Sequence, residues 1–345
     1  MKHQRLLGFL WLFLLLGAAV FCILWGRVPT KGAQTYVGAS STMYVVAIEI
    51  TADATPRLTA LPIPTPAPTP VPTETPDPEP FALLWYSDTQ YYAYKRPEIF
   101  RKMTEWSVEH AADYNALAVV HTGDIVDNHL YERHWNNAAS ALKTLEGHLP
   151  LLCVAGNHDV GADTVDYSAY RKAAFCSVTN KKQLFRDGVC WVQPFAKKRL
   201  LLVGIGWQKD TAYLDWVKKR LAEYPDYTAV LLVHSFLESN GTLTDNGKRI
   251  EQSLLREASN VRLVLCGHMD GSVRWQNTYD DNTRTVNALM YNFQDDKKNG
   301  LGYLRILSFD PVLRTIEVTT YSPFLDDYDY YADPSLDTFS LCNAF

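Results

Sequence analysis

Short apolar runs that end in polar corners recur along the chain after residue 80. The most informative is Val119-Val-His-Thr-Gly-Asp124, which is followed by a second carboxylate at Asp127. A short apolar run that stops at a turn signal predicts a buried β-strand. Because Gly123 allows the backbone to turn sharply, we expect Asp124 to lie at the carboxyl end of this strand and to face a crevice.

Four other apolar runs end in the same way. Their polar corners are Asp88-Thr-Gln90, Asn157-His158-Asp159, His234 and His268-Met-Asp270. Five strands are therefore expected to bring oxygen and nitrogen donors to one edge. Carboxylate, amide and imidazole groups that converge in this way predict a metal site.

The remaining periodicity predicts helices between these strands and a run of strands towards the end. Helices are expected over Pro97–Asp113, Tyr131–Leu145, Asp163–Phe175, Ala212–Glu223 and Asn246–Ala258. Strands are expected over Trp191–Pro194, Leu200–Ile205, Val273–Thr278, Thr283–Met290, Tyr303–Phe309 and Arg314–Tyr321, the first two as an antiparallel pair. Alternating β-α units followed by strands alone predict an α/β domain of two face-to-face sheets with helices outside.

The N-terminal region predicts a membrane anchor. Leu6 to Trp25 is almost wholly apolar and long enough to span a bilayer, with Lys2 and Arg5 before it. No small-x-small cleavage site follows Trp25, so we interpret residues 1–30 as a transmembrane signal anchor. The expected location is the cell membrane, single-pass, with the folded domain outside the cytoplasm. Cleavage of the segment would instead give a secreted protein.

An extended linker is predicted over residues 31–80, and it is rich in proline and threonine from residue 55. Ten of the eighteen prolines of the chain lie between Pro56 and Pro80. Proline fixes φ and removes amide donors, so a polyproline II stalk of about 80 Å is expected. A disordered linker would behave in much the same way.

Composition narrows the classes of partner and of metal site. The net charge is −5 and the pI is near 6.0, with no basic stripe, so nucleic acid is not expected. Six cysteines form no CxxC pattern, which argues against thiolate zinc. Cys153 and Cys266 lie inside apolar strands, whereas Cys176 and Cys190 could pair in an oxidising compartment.

The ordered corners resemble the motifs of the calcineurin-like metallophosphoesterases. The matching residues are Asp88, Gly123-Asp124-x-x-Asp127, Gly156-Asn157-His158-Asp159, His234 and Gly267-His268-x-Asp270. The resemblance covers Phe81 to about Tyr321 and implies a four-layer αββα sandwich of two mixed sheets with a binuclear metal centre. It makes Asp124 the bridging ligand and places Asp88 on the first metal. Asn157, His234 and His268 would hold the second metal.

The resemblance also implies roles for the two residues beside the metals. His158 would be a general acid or an electrostatic clamp on the substrate, and Asp127 would orient it. Phosphatases of the calcineurin branch carry an arginine after the second aspartate, where this chain has Asn128. A phosphate clamp is therefore expected from elsewhere, and His129 and Arg133 are candidates.

Two positions depart from the usual family motifs. The first motif normally reads Asp-x-His but here ends in Gln90, and the last normally reads Gly-His-x-His but here ends in Asp270. Gln90 would ligate through its carbonyl oxygen and Asp270 through its carboxylate, while a turn aspartate before Gly271 is the alternative for Asp270. The Asp-Thr-Gln form, with Asn292-Phe-Gln294 and Thr320-Tyr-Ser-Pro323, resembles a bacterial extracytoplasmic subgroup of the family.

The expected function is hydrolysis of a phosphomonoester or phosphodiester outside the cytoplasm by a metal-activated hydroxide. The implied cofactors are two divalent or trivalent ions of manganese, iron or zinc. One alternative is a membrane-anchored binding protein whose site is degenerate at Gln90 and Asp270. Another is a nucleotidase, or a phosphodiesterase of lipid or wall polymer, on the same metals. We assign residues 81–325 to the enzyme domain and 326–345 to an acidic-aromatic tail. The tail could bind calcium or a partner, or form a solvated edge.

Overall fold

The computed structural model of the protein describes residues 76–173, 177, 183–280, 282–294 and 301–344. The predicted anchor at Leu6–Trp25, the linker up to residue 75 and Cys176 lie outside these residues. Within the described part of the chain, every helix is too short or too polar to cross a bilayer.

Fourteen strands are found among the described residues. They are β1 Phe81–Tyr86, β2 Ala116–His121, β3 Leu151–Cys153, β4 Leu184–Phe185, β5 Cys190–Phe195, β6 Leu200–Ile205, β7 Thr228–Val233, β8 Val261–Cys266, β9 Gly271–Tyr279, β10 Arg284–Asn292, β11 Leu304–Asp310, β12 Thr315–Ser322, β13 Asp327–Tyr328 and β14 Phe339–Leu341. All the strands predicted from the sequence are present. β5 and β6 form the expected antiparallel pair around the turn at 196–198.

Seven α-helices connect the strands in the described residues. They are α1 Gln90–Lys95, α2 Pro97–Glu109, α3 Glu132–Leu142, α4 Asn157–Val160, α5 Ser168–Ala173, α6 Ala212–Ala222 and α7 Asp245–Ile250. Helix α7 continues as a π-helical turn over Glu251–Leu255.

The helix predicted from Asp163 begins five residues later than expected. Val165 adopts a left-handed backbone conformation with a φ of 49°, which interrupts any helix there. Asp166 then accepts a hydrogen bond from the backbone N–H of Ser168 at 2.9 Å, so its carboxylate satisfies a donor at the start of α5.

The strands form two mixed seven-stranded sheets, as the sequence predicted. The order in the first is β13-β12-β11-β1-β2-β3, with β14 paired to β12, and the order in the second is β4-β5-β6-β7-β8-β10-β9. In the first sheet β1, β2 and β3 run parallel, and in the second β6, β7 and β8 run parallel.

Three separate apolar layers show how sheets and helices stack. Leu83 and Trp85 of β1 pack between the two sheets, together with Leu232 of the second sheet. The alternate β1 residues Leu84 and Tyr86 instead pack against α2 and α3. A third layer joins the outer face of the second sheet to α6 and α7. This alternation with a period of two produces the arrangement helix, sheet, sheet, helix.

The ligand-bearing strands divide between the two sheets, so the expectation of one edge needs correction. β1, β2 and β3 carry the corners at Asp88, Asp124 and Asn157, while β7 and β8 carry those at His234 and His268. The carboxyl ends of both parallel sets meet, because His234 Nδ1 donates to the main-chain oxygen of Thr122 at 2.9 Å. The site therefore lies across the junction of the sheets.

The first described residues are fixed to the β5–β6 turn. The backbone N–H of Asp77 donates to the oxygen of Lys197 at 2.7 Å, and Lys198 Nζ donates to the oxygen of Glu79 at 2.8 Å. Lys198 Nζ also lies 2.6 Å from a carboxylate oxygen of Asp77. The last few residues of the proline-rich segment thus belong to the folded unit.

The acidic-aromatic tail joins the first sheet. Strands β13 and β14 both pair with β12. The Tyr330 ring stacks on Phe293 with centroids 4.3 Å apart, and Tyr331 packs against the layer between the sheets. The segment is an ordered edge of the sheet.

Candidate metal centre

Three glycines allow the loops around the site to approach each other closely. A Cβ on Gly156 would lie 2.1 Å from Asp124 Oδ1, and one on Gly267 would lie 2.1 Å from Asp88 Oδ2. Gly123 has a φ of +102°, and a Cβ there would lie 2.8 Å from His234 Nδ1. Any side chain at these positions would collide with a candidate ligand.

The centre of the site is the cluster of Asp124, His234 and His268. One potential ligand atom from each lies within 4.8 Å of the others. His234 Nε2 is 3.2 Å from Asp124 Oδ2, and both side chains are almost completely buried. Because His234 Nδ1 donates to Thr122, Nε2 is the ring nitrogen that faces Asp124 and that a metal ion would use.

Asp88 and Asn157 adjoin this cluster from the first sheet. Asp88 accepts hydrogen bonds from the backbone N–H of His268 at 3.0 Å and from Ser87 Oγ at 2.5 Å. Asn157 Oδ1 lies 3.0 Å from His234 Nε2. Asp124 Oδ1 accepts the backbone N–H of His158 at 2.9 Å. The structure therefore brings together the five residues that the resemblance assigned to two metals.

The charges of these side chains fit a bound cation. Burial and the Asp124 carboxylate raise the pKa of Asp88, so this acid lacks a sufficient positive neighbour. Burial opposes the charge of His234, but Asp124 and Asp88 outweigh it and raise the pKa of that imidazole. Metal ligands bind when deprotonated, so a cation at Nε2 would take the place of this proton.

His268 supplies an independent indication of a missing partner. Its Nδ1 atom is buried and has no hydrogen-bond partner among the described residues. Burial and the charge of His234 lower the pKa of His268 to about 4, which keeps the imidazole neutral. A buried, neutral imidazole nitrogen without a hydrogen-bond partner is suited to bind a metal ion.

Gln90 and Asp270 occupy different surroundings from the cluster. The Gln90 amide is buried. The hydrogen bonds are satisfied when the amide nitrogen of Gln90 faces the acceptors around it. In that orientation the nitrogen donates to the main-chain oxygen of Asp124 at 2.9 Å, and the amide oxygen accepts from Gln294 Nε2 at 2.5 Å. The two motifs Asp88-Thr-Gln90 and Asn292-Phe-Gln294 therefore meet side by side. Asp270 is exposed and lies outside the three-residue cluster.

His158 lies over the cluster and is held by Asp127. Its Nδ1 donates to the main-chain oxygen of Asp127 at 2.7 Å, whereas the Asp127 carboxylate is 4.0 Å away. Burial lowers the pKa of His158, but Asp124 and the Asp127 carbonyl outweigh that effect and raise the pKa above its ordinary value. His158 is therefore in contact with Asp127, as predicted, and the shorter contact is with the backbone carbonyl.

Two buried residues that the sequence did not assign support the loops. Asp159 accepts the backbone N–H groups of Ile125, Val126 and Gly156 at 2.8, 2.9 and 2.8 Å. One carboxylate thus ties the Asp124 loop to the Asn157 loop, although burial and Asp124 raise its pKa.

His121 is the second residue that was missed. Its Nδ1 accepts from Gly123 N at 3.1 Å, so Nε2 donates to Thr89 Oγ1 at 2.9 Å. Burial and His234 lower its pKa to about 3, which keeps it neutral. A histidine at the end of the apolar run Ala116–His121 is the signal that could have identified it.

The two candidate phosphate clamps, His129 and Arg133, lie outside the three-residue cluster. His129 donates its backbone N–H to the oxygen of His158 at 3.1 Å, and Arg133 is exposed on α3. Trp207, in the loop after β6, lies beside the cluster, with its ring centroid 5.5 Å from that of His268 and 6.0 Å from that of His234. It forms an aromatic wall beside the cluster.

Cys153, Cys190 and Cys266 are all buried. Burial raises the pKa of the Cys190 thiol to about 12. These cysteines act as apolar packing residues, as expected for the strand positions 153 and 266.

Comparison with known proteins gives a consistent result. The family model of the calcineurin-like phosphoesterases (Metallophos) matches residues 81–270, more than half of the chain. The uncharacterized protein YvnB of Bacillus subtilis (strain 168) is 32% identical over 265 residues, or 73% of this chain and 20% of that protein. The chain thus spans about one fifth of the length of this curated relative.

Among solved structures, the chain is similar to the purple acid phosphatase PPD1 from yellow lupin (Lupinus luteus) seeds. The TM-score is 0.54 at 12% sequence identity, covering 78% of this chain and 55% of the lupin chain. At this identity the likeness concerns the fold.

Proposed function

Because the chain belongs to the calcineurin-like phosphoesterase family, we propose that it is a metal-dependent phosphoesterase that hydrolyses a phosphomonoester or phosphodiester. The observation that carries the proposal is the convergence of Asp124, His234 and His268, with ligand atoms within 4.8 Å of one another. The buried and unpartnered Nδ1 atom of His268 supports it.

The proposed ligands are those that the family resemblance implies, and the closeness of their side chains supports them. Asp124 would be shared by two metal ions, Asp88 would hold the first, and Asn157, His234 and His268 would hold the second. Manganese, iron and zinc suit this mixture of carboxylate, amide and imidazole donors. When bound, two such ions activate a water molecule and stabilise charge on the phosphate oxygens.

The protein's own residues provide positioning and a proton. His158 is the proposed general acid for the leaving oxygen, because its Nδ1 is committed to the Asp127 carbonyl and its Nε2 remains available. Asp159 and the three motif glycines hold the loops at the required separation. Gln90 and Asp270 lie outside the three-residue cluster, and Gln90 orients the Asp124 loop through Gln294 and the Asp124 carbonyl.

The proposed location follows from the residues before the domain. The apolar segment Leu6–Trp25 would anchor the chain, and the proline-rich stalk would end where Asp77 is fixed to Lys197. The contact between Gln90 and Gln294 gives the Asp-Thr-Gln motif a structural meaning and supports assignment to the extracytoplasmic subgroup.

The proposed function is tested with the full-length chain purified in detergent. After loading with Mn²⁺ or Zn²⁺, it should hydrolyse 4-nitrophenyl phosphate or bis(4-nitrophenyl) phosphate. EDTA should abolish the activity, and re-addition of metal should restore it. A chain that binds two metals and a phosphonate but turns over neither ester would instead favour the alternative, a membrane-anchored binding protein.

A further inference from the structure

A cavity of about 310 Å³ opens beside the metal cluster. His234 lines it, so it adjoins the candidate site, and its other walls come from the loop after β6 and from the start of α7. The volume lies at the lower end of the range for small-molecule sites. Nothing in the proposed hydrolysis of a bare phosphate group uses this space.

The wall of the cavity has a fixed aromatic face. Trp207 Nε1 donates to the oxygen of Ala162 at 3.2 Å, and its backbone N–H donates to the oxygen of Ala155 at 2.8 Å. These bonds hold the indole next to His234. A planar or apolar body attached to the phosphate could therefore pack against this ring.

The next residue leaves a buried acceptor unsatisfied. Gln208 Nε2 donates to Cys190 Sγ at 3.5 Å, while Gln208 Oε1 is buried without a hydrogen-bond partner among the described residues. Because buried acceptors are nearly always paired, this oxygen indicates a donor from outside the chain.

Of the lysine and arginine side chains that line the cavity, Arg249 is the one outside the described ion pairs. Lys209 is paired with Asp163 at 2.7 Å, and the lining carboxylate of Asp245 is paired with Lys248 at 2.9 Å. Arg249 lines the same cavity and lies beyond salt-bridge distance of the described carboxylates, although, after the hydrogen bond from Lys248, its charge helps to lower the pKa of Asp245. Its guanidinium is suited to a carboxylate or phosphate group in bidentate geometry.

We propose that this cavity binds the leaving group of the phosphoester, and that Arg249 selects leaving groups that carry a second anionic group. The inference rests on the proposed function, because it assigns the scissile phosphate to the metal cluster. The substrate class is a phosphoester with a hydrogen-bond donor and a carboxylate or second phosphate on the far side of its leaving group.

The test compares two ligands that cannot be hydrolysed, benzylphosphonate and 4-carboxybenzylphosphonate. Their affinities for the full-length, Mn²⁺-loaded protein are measured by calorimetry. The carboxylated ligand should bind about five- to tenfold more tightly, the range expected for an exposed charge-assisted pair. Arg249→Gln should remove this preference, and the exposed Lys219→Gln, outside the cavity lining, should retain it.

The outcomes separate this inference from the proposed function. Equal affinity of the two phosphonates for the wild-type protein, or no binding of either, overturns the subsite. A preference that survives Arg249→Gln overturns the role of that residue. If the preference is present but no phosphoester is hydrolysed, the subsite stands and the proposed activity fails.

Discussion

His158 Nδ1 lies 2.7 Å from the main-chain oxygen of Asp127 and 4.0 Å from its carboxylate. The backbone carbonyl of Asp127 therefore orients the imidazole, and a substitution at position 127 leaves that carbonyl in place. This relationship separates the roles of the two residues and makes them distinguishable by mutation.

His158→Ala should keep both metals but lose about 10²- to 10⁴-fold in rate on an ester with a poor leaving group. The loss should shrink for activated aryl phosphates, whose leaving oxygen barely needs a proton. Metal content and rates on both ester types are the measurements, with the exposed His148→Ala as control. An equal loss on both esters, accompanied by loss of metal, would show that His158 is a ligand.

Asp127→Asn should lower the rate by less than about fivefold. The Asp127 carboxylate lies 4.0 Å from the imidazole, and solvent partly screens its charge. The isosteric amide leaves the carbonyl that holds His158 in place. The measurement is the steady-state rate of Asp127→Asn and of the wild-type protein on an ester with a poor leaving group. A defect as large as that of His158→Ala would mean that the side chain, and not the backbone, orients the imidazole.

Gly156→Ala should lower metal affinity by about 10- to 100-fold, the usual effect of disturbing the surroundings of a ligand. The added Cβ would meet Asp124 Oδ1 at 2.1 Å, while the φ of −95° is compatible with alanine. Gly147→Ala is the control, since nothing lies within 4 Å of its Cβ. Gly147→Ala should cost about 1 kcal/mol of stability through its positive φ but leave metal affinity intact. Unchanged metal affinity in Gly156→Ala would contradict the close-approach account.

Protease added to intact cells should release a soluble fragment that begins between Thr55 and Thr75. Cleavage should not reach Asp77, because the hydrogen bonds to Lys197 and Lys198 fix the chain there. N-terminal sequencing of the released fragment is the measurement. A chain that is protected until the cells are lysed would place the domain in the cytoplasm.

The sequence predicted the strands and their polar ends because both signals are local. The Gly123-Asp124 corner and the apolar run before it lie within ten residues, so turn chemistry and periodicity together determine them. The same reasoning misplaced the start of α5, because the left-handed backbone at Val165 has no strong signature in a β-branched residue.

The parts that the sequence missed depend on contacts between distant segments. Asp159 could be expected to accept from Gly156 in its own turn, but its bonds to Ile125 and Val126 join loops more than thirty residues apart. The Gln90–Gln294 contact and the cavity between Trp207 and Arg249 likewise exist only after the sheets have packed.

The most direct test of a binuclear site centred on Asp124 is elemental analysis of the full-length protein and its Asp124→Asn variant after metal loading. The wild-type protein and the exposed control Asp113→Asn should each hold two metal ions per chain. Asp124→Asn should lose most of the metal and all activity, because a bridging carboxylate holds both ions. Two metal ions retained in Asp124→Asn, or none in the loaded wild-type protein, would contradict the account.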